Sequence, residues 1–240
     1  MFLAESLQVP TWFRFPIGDV PDELKELAGS IASYCDVIRD ACLRFSAAIC
    51  LYDFAQAQQT LLDDQERNAR ARGERATSNY TESLWLDWSK LACREGAFAL
   101  RDFAYALYKI RGLIKKIKSW AEKVDITGLK AWEKKFGLYF PDFHDLRNAV
   151  AHPENYADPT RIAYVTLGSA GLPGFIGGKG ASGTKLTMQG GVLQGRFTMT
   201  HNGRIVSYPV TSDAAYKLHE IALGIISCFE SLDPFAWTKR

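Results

Sequence analysis

The sequence predicts a mainly α protein: a helical bundle with a small antiparallel β-meander before the C-terminal helix. Three observations predict it. Apolar residues recur at spacings of three and four over long stretches on both sides of a polar segment. Asn202-Gly203, a strong type I′ hairpin signal, lies between two short strand-like runs. No βαβ alternation occurs, which argues against a parallel sheet.

Residues 1–18 form an aromatic arm, expected to pack Trp12, Phe13 and Phe15 onto the body. Asp19 and Pro21 then supply a helix start, with Asp22 and Glu23 at the positive end of the helix dipole. Leu24, Leu27, Ile31, Cys35, Ile38, Cys42 and Phe45 mark a buried stripe, and the first helix is expected to reach about Leu62. Residues 63–80 are polar, with mixed charges, and read as a solvated linker; a solvated helical extension is the alternative. A second long helix starts near Thr81, with Leu84, Trp88, Leu91, Phe98, Phe103, Leu107 and Ile110 expected on its buried side. Glu95 interrupts that stripe and there would need a partner.

Thr127 opens a third helix carrying Leu129, Trp132, Phe136 and Tyr139, which Pro141 breaks. A short helix is expected from about Asp142 to Ala151, stopped by Pro153. Residues 161–167 alternate weakly, and 168–184 are rich in Gly, Ala and Ser and read as a loop. Strands are expected at 184–189, 192–200 and 203–209. Ser212 and Asp213 offer caps for the last helix, 212–232, whose buried face is Ala215, Leu218, Ile221, Ala222, Ile225, Ile226 and Phe229. The chain thus reads as one domain over residues 1–240: an arm (1–18), a helical bundle (19–153), a glycine-rich loop with the meander (160–210), and a helix completing the bundle (212–232).

At 240 residues, 47% hydrophobic and 23% charged, the chain has an ordinary globular composition. A net charge of +2 gives no global drive towards nucleic acid or membranes, so any basic site must be local. The five cysteines form no CxxC pair and have no His at zinc-like spacing; they read as core residues of a protein in a reducing, cytoplasmic setting. No run approaches the roughly 20 apolar residues that cross a bilayer, and no secretory leader is expected.

The constellation with chemistry in it is Asp145-Leu146-Arg147-Asn148-Ala149-Val150-Ala151-His152. On a helix Phe143, Leu146 and Val150 point one way and anchor it. Asp145, Asn148 and His152 point another way, with Arg147 beside Asn148. His144 lies one turn before Asn148 and joins the same surface, although a solvated His144 is the simpler reading. Pro153 biases His152 away from α conformation, towards the Arg147 side. A cation, an amide and a group that titrates near neutrality are then gathered at a helix end. His152 could move a proton at a ribose 2′-hydroxyl or a leaving 5′-oxygen, Arg147 could hold the phosphate, and Asn148 could orient the imidazole. This chemistry needs no metal or cofactor. One copy holds one such His, so a two-fold homodimer meeting at this helix makes chemical sense. The bland alternative pairs Arg147 with Asp142, Asp145 or Glu154 and leaves His152 as a helix terminator.

At these residues the sequence resembles the HEPN superfamily (higher eukaryotes and prokaryotes nucleotide-binding). Its ribonuclease members carry an Arg, often followed by a polar residue, then four to six residues and a His, at a helix end within an α-bundle. Arg147-Asn148-Ala149-Val150-Ala151-His152 matches that form with four intervening residues. The resemblance covers about residues 20–155 plus the last helix; the β-meander is not a general feature of the family. It implies a HEPN-like helical bundle acting as a metal-independent endoribonuclease at a dimer interface. Arg147, Asn148 and His152 would be catalytic, and His144 and Asp145 would sit beside them for RNA or nucleotide binding. Other family members imply the alternative, a non-catalytic nucleotide-binding or protein-interaction module. His201 falls beside the hairpin turn, and His219 is expected at solvent or a helix groove. Trp85, Trp88, Trp120 and Trp132 read as core, or else as an apolar partner surface.

Overall fold

The computed structural model describes residues 15–74, 80–151, 165–166, 185–186, 190–201 and 204–232. The protein is mainly helical, with a three-stranded antiparallel sheet before the last helix. Two short 3₁₀ turns, Ile17–Asp19 and Asp22–Leu24, lead into α1 (Lys25–Ala71). There follow α2 (Tyr80–Ile114), α3 (Lys118–Ala121), α4 (Ile126–Tyr139) and α5 (Phe143–Ala151). Then come β1 (Val165–Thr166), β2 (Lys185–Leu186), β3 (Gly191–Leu193), β4 (Arg196–His201), β5 (Arg204–Pro209) and α6 (Ser212–Ser227).

The first helix is longer than its apolar stripe. It runs through the charged stretch that reads as a linker, where Arg67 pairs with Asp64 and Arg70 with Glu66 on neighbouring turns. Gly73 ends it. At φ +75° this glycine closes the helix while its N–H reaches the Arg70 carbonyl and that of Glu74 reaches the Ala69 carbonyl, a Schellman-type stop.

The chain divides into two compact units, each drawn from separated segments. The first takes residues 1–47, 98–141 and 212–240. Its core holds Ile31, Ile38 and Phe45 of α1, Phe103 and Ile110 of α2, Leu129 and Phe136 of α4, and Leu218, Ile221 and Ile225 of α6, all fully buried or nearly so. Aromatic rings run through it: Phe45 meets Phe140 edge-on at 5.9 Å, and Phe136 stacks on Phe103 at 5.0 Å. Phe15 of the arm stacks on Trp120 and meets Phe229 edge-on, each at 5.5 Å, as expected; Trp12 and Phe13 lie outside the described residues. Asp125 caps α4 by accepting the Gly128 N–H at 2.8 Å. Helices α4 and α6 pack closely because Gly224 has no side chain: a Cβ there would overlap the indole of Trp132.

The second unit takes residues 48–97 and 142–211. Its sheet has the order β3-β4-β5, with β4 paired to β5 from Arg196↔Pro209 to His201↔Arg204. That register suits a two-residue connection at Asn202-Gly203, which itself lies outside the described residues. The meander's first strand is not 184–189. It is Gly191–Leu193, folded onto β4 by a turn at Gln194 (φ 51°) and Gly195 (φ 70°). Two consecutive positive φ values are the I′ geometry that matches strand twist. Residues 185–186 pair instead with 165–166, within the weakly alternating run.

Tyr208 of β5 anchors this sheet. Its hydroxyl donates to the Cys93 carbonyl of α2 at 2.5 Å, and a Cβ on Gly96 would collide with that hydroxyl. The contact sets the phase of the early part of α2: Ser89, Ala92, Cys93 and Ala97 are buried, while Leu84, Trp88 and Leu91 are exposed. Glu95 is exposed too, so it needs no buried partner.

Candidate functional site

Helix α5 is fixed by its apolar residues. Leu146, Ala149 and Val150 are buried, at 0%, 2% and 6% exposure, and the helix packs against β4 and β5. Pro141 ends the preceding helix, and the Asp142 carbonyl accepts the Leu146 N–H at 2.9 Å in the first turn of α5. The Asp142 carboxylate is spent elsewhere: it accepts the Ser207 N–H at 3.0 Å. Strand β5 is the outer strand of its sheet, so this carboxylate answers a backbone donor on the sheet edge.

At about 100° per residue, burying Leu146, Ala149 and Val150 turns positions 144 and 148 to the far side of the helix. His144 is exposed, its ring stacked on Phe143 at 4.8 Å. Asn148 is half-buried one turn further on, and Asp145 is half-buried on the flank. The structure therefore brings Asp145, Asn148 and His144 to adjacent turns, as the periodicity predicts. Helix α5 is described as far as Ala151, and the stop expected from Pro153 lies outside the described residues. The side chain of Arg147 and the whole of His152 lie outside the described residues.

The other described histidines lie outside α5, His201 half-buried and His219 buried. His201, closing β4 opposite Arg204, has its pKa lowered by burial. His219 does not face solvent: it is 4% exposed within the first unit, and burial lowers its pKa also. Its Nε2 lies 3.3 Å from Ser46 Oγ, which itself donates to the Cys42 carbonyl at 2.9 Å. Ser46 has a single proton to give, so His219 must supply the other. The ring is the Nε2–H tautomer, and its buried Nδ1 has no partner among the described residues. Sequence spacing missed this pair because 173 residues separate its members.

The cysteines are free thiols, with Cys42, Cys93 and Cys228 buried. Burial pushes Cys93 up to about 12 and Cys228 to about 11, and carries Cys35 and Cys42 higher still, so none of these four is poised as a thiolate. Among the described residues no helix is long and apolar enough to cross a membrane. No family model, curated protein or solved structure matches the chain.

Proposed function

We propose that this chain is a HEPN-like, metal-independent endoribonuclease that acts as a homodimer in the cytoplasm. Arg147 would hold the scissile phosphate, His152 would transfer the proton, and Asn148 would orient the imidazole or the phosphate. His144 and Asp145 would contact RNA beside them. The observation that carries the reading is the phase of α5: its buried side is Leu146, Ala149 and Val150, so the Arg147-Asn148 pair lies on a helix whose far side holds Asn148 and His144. Mainly helical surroundings fit the same reading. Five free thiols suit a reducing compartment.

The test is cleavage of labelled single-stranded RNA in excess EDTA. The intact protein is expected to cut, and His152→Ala and Arg147→Ala are expected to lose about a hundredfold or more while remaining folded. Uncut RNA with all three proteins would end the autonomous-nuclease reading. A second reading, a partner-binding module, is favoured by one observation: Phe54, Leu61, Leu86, Trp88 and Leu91 of the second unit are all 39–53% exposed.

A further inference from the structure

The net charge of +2 is unevenly spread along the chain. From Arg101 to Lys118 there are six cations and one carboxylate, Asp102, a local excess of five positive charges. Asp102 is met by Arg44 at 2.5 Å and by Arg101 at 3.8 Å, and Arg111 pairs with Glu133. The whole segment belongs to the first unit. Most of it is the last part of α2, whose Phe103, Leu107, Ile110 and Ile114 are buried. Arg101, Tyr105, Tyr108 and Gly112 follow at spacings of four, three and four, and all four are exposed. At about 100° per residue they form one row, about 16 Å long at 1.5 Å per residue.

Two aromatic rings stand in that row. Tyr105 is 49% and Tyr108 60% exposed. Tyr34 of α1 supports Tyr105 edge-on at 6.0 Å. Lys109 Nζ lies 5.2 Å from the Tyr105 centroid, and the Arg111 guanidinium 6.0 Å from that of Tyr108. Lys115 and Lys116 are exposed in the turn that follows the helix. They complement the negative end of the helix, which accounts for two lysines and leaves the tyrosines unexplained. On α1 near Tyr34, Asp36 and Asp40 both face Arg39, at 3.9 and 3.3 Å. Exposed rings flanked by cations suit a flexible polyanion that carries planar bases: the rings stack the bases and the cations hold the phosphates. Duplex bases already stack on each other and would leave the rings unused. A membrane surface would need apolar side chains outward among the lysines, whereas Phe103, Leu107, Ile110 and Ile114 turn inward.

We propose that this strip of α2 binds single-stranded nucleic acid, with bases stacked on Tyr105 and Tyr108 and phosphates held by Arg101, Lys109, Lys115 and Lys116. The surface does not depend on the ribonuclease reading. The probe is a labelled 2′-O-methyl-uridine 15-mer, titrated with the full chain by fluorescence anisotropy over a salt series. It has no free 2′-hydroxyl to be attacked, so binding is read whether or not the chain cuts RNA. Saturable binding is expected, with log affinity falling against log salt at a slope of about −3 for four phosphates. Tyr108→Ala is expected to weaken binding about tenfold at an unchanged slope, and Tyr108→Phe, which keeps the ring, to bind like the intact chain. Lys115→Gln combined with Lys116→Gln is expected to make the slope shallower by about 1.4. Melting curves check that each variant is folded. No saturable binding, equal affinity for the duplex with a complementary strand, full affinity in Tyr108→Ala, or capture by phosphatidylserine vesicles in place of the oligonucleotide would each overturn the proposal.

Discussion

Two side-chain arrangements make the sharpest demands on the protein. Tyr208 is fully buried, and its hydroxyl reaches a helix carbonyl only because position 96 has no side chain. Tyr208→Phe should cost about 0.5–1.5 kcal/mol by removing the hydroxyl's bond to the Cys93 carbonyl, which lies inside α2 and keeps its helical partner, and Gly96→Ala about 1–3 kcal/mol by crowding the hydroxyl. The two should not add. With the hydroxyl gone, the alanine loses its main obstacle. A double-mutant cycle in urea should therefore show Gly96→Ala costing less when combined with Tyr208→Phe than when made alone. Additivity would mean that the collision is relieved by other movements. His219 gives a pH signature. Its folded pKa lies below its unfolded value, so the unfolded chain binds the extra proton. Its contribution to stability is therefore complete above the unfolded value of about 6.5 and declines as pH falls below it, towards the folded pKa. Protonating Nδ1 would place an N–H⁺ in the core with no acceptor among the described residues. Denaturant midpoints between neutral and mildly acidic pH should fall, and His219→Leu should flatten that part of the curve.

At the level of the elements, α4 against α6 is the packing most sensitive to one methyl group. Gly224→Ala should destabilise by about 1–3 kcal/mol through overlap with Trp132, despite the ~1 kcal/mol that alanine gains in helix propensity. A stabilised variant in a urea titration would show that the two helices can separate freely. Helix ends that carry a breaker or a cap were legible: Pro141 and the Ser212-Asp213 start lie where α4 stops and α6 begins. The end of α1 was not, because a helix tail held by charged pairs has no apolar stripe; its true signal was Gly73. The early phase of α2 was also missed. Leu84, Trp88 and Leu91 form as good a stripe as Ser89, Cys93 and Gly96, and only packing against Tyr208 chooses between them. The Gln194-Gly195 turn escaped because Gln seldom takes positive φ, whereas Asn-Gly advertises itself. In the candidate site the phase of Asp145, Asn148 and His144 was readable because Leu146 and Val150 fix it.

For the whole molecule the dominant fact is interleaving: each unit is assembled from segments far apart in sequence, and α1 and α2 each supply residues to both. The first unit relies on α6, which buries Leu218, Ile221 and Ile225. Deleting residues 212–240 should therefore cost the first unit its cooperative unfolding, with increased binding of an apolar dye. An unchanged sharp transition would contradict the segment assignment. The same arrangement has a consequence for synthesis on the ribosome. The stripe of Ile31, Ile38 and Phe45 emerges long before its partners on α6, with the whole second unit translated in between. Throughout that interval the stripe lacks part of its cover, which makes the nascent chain a client for chaperones that shield apolar helices.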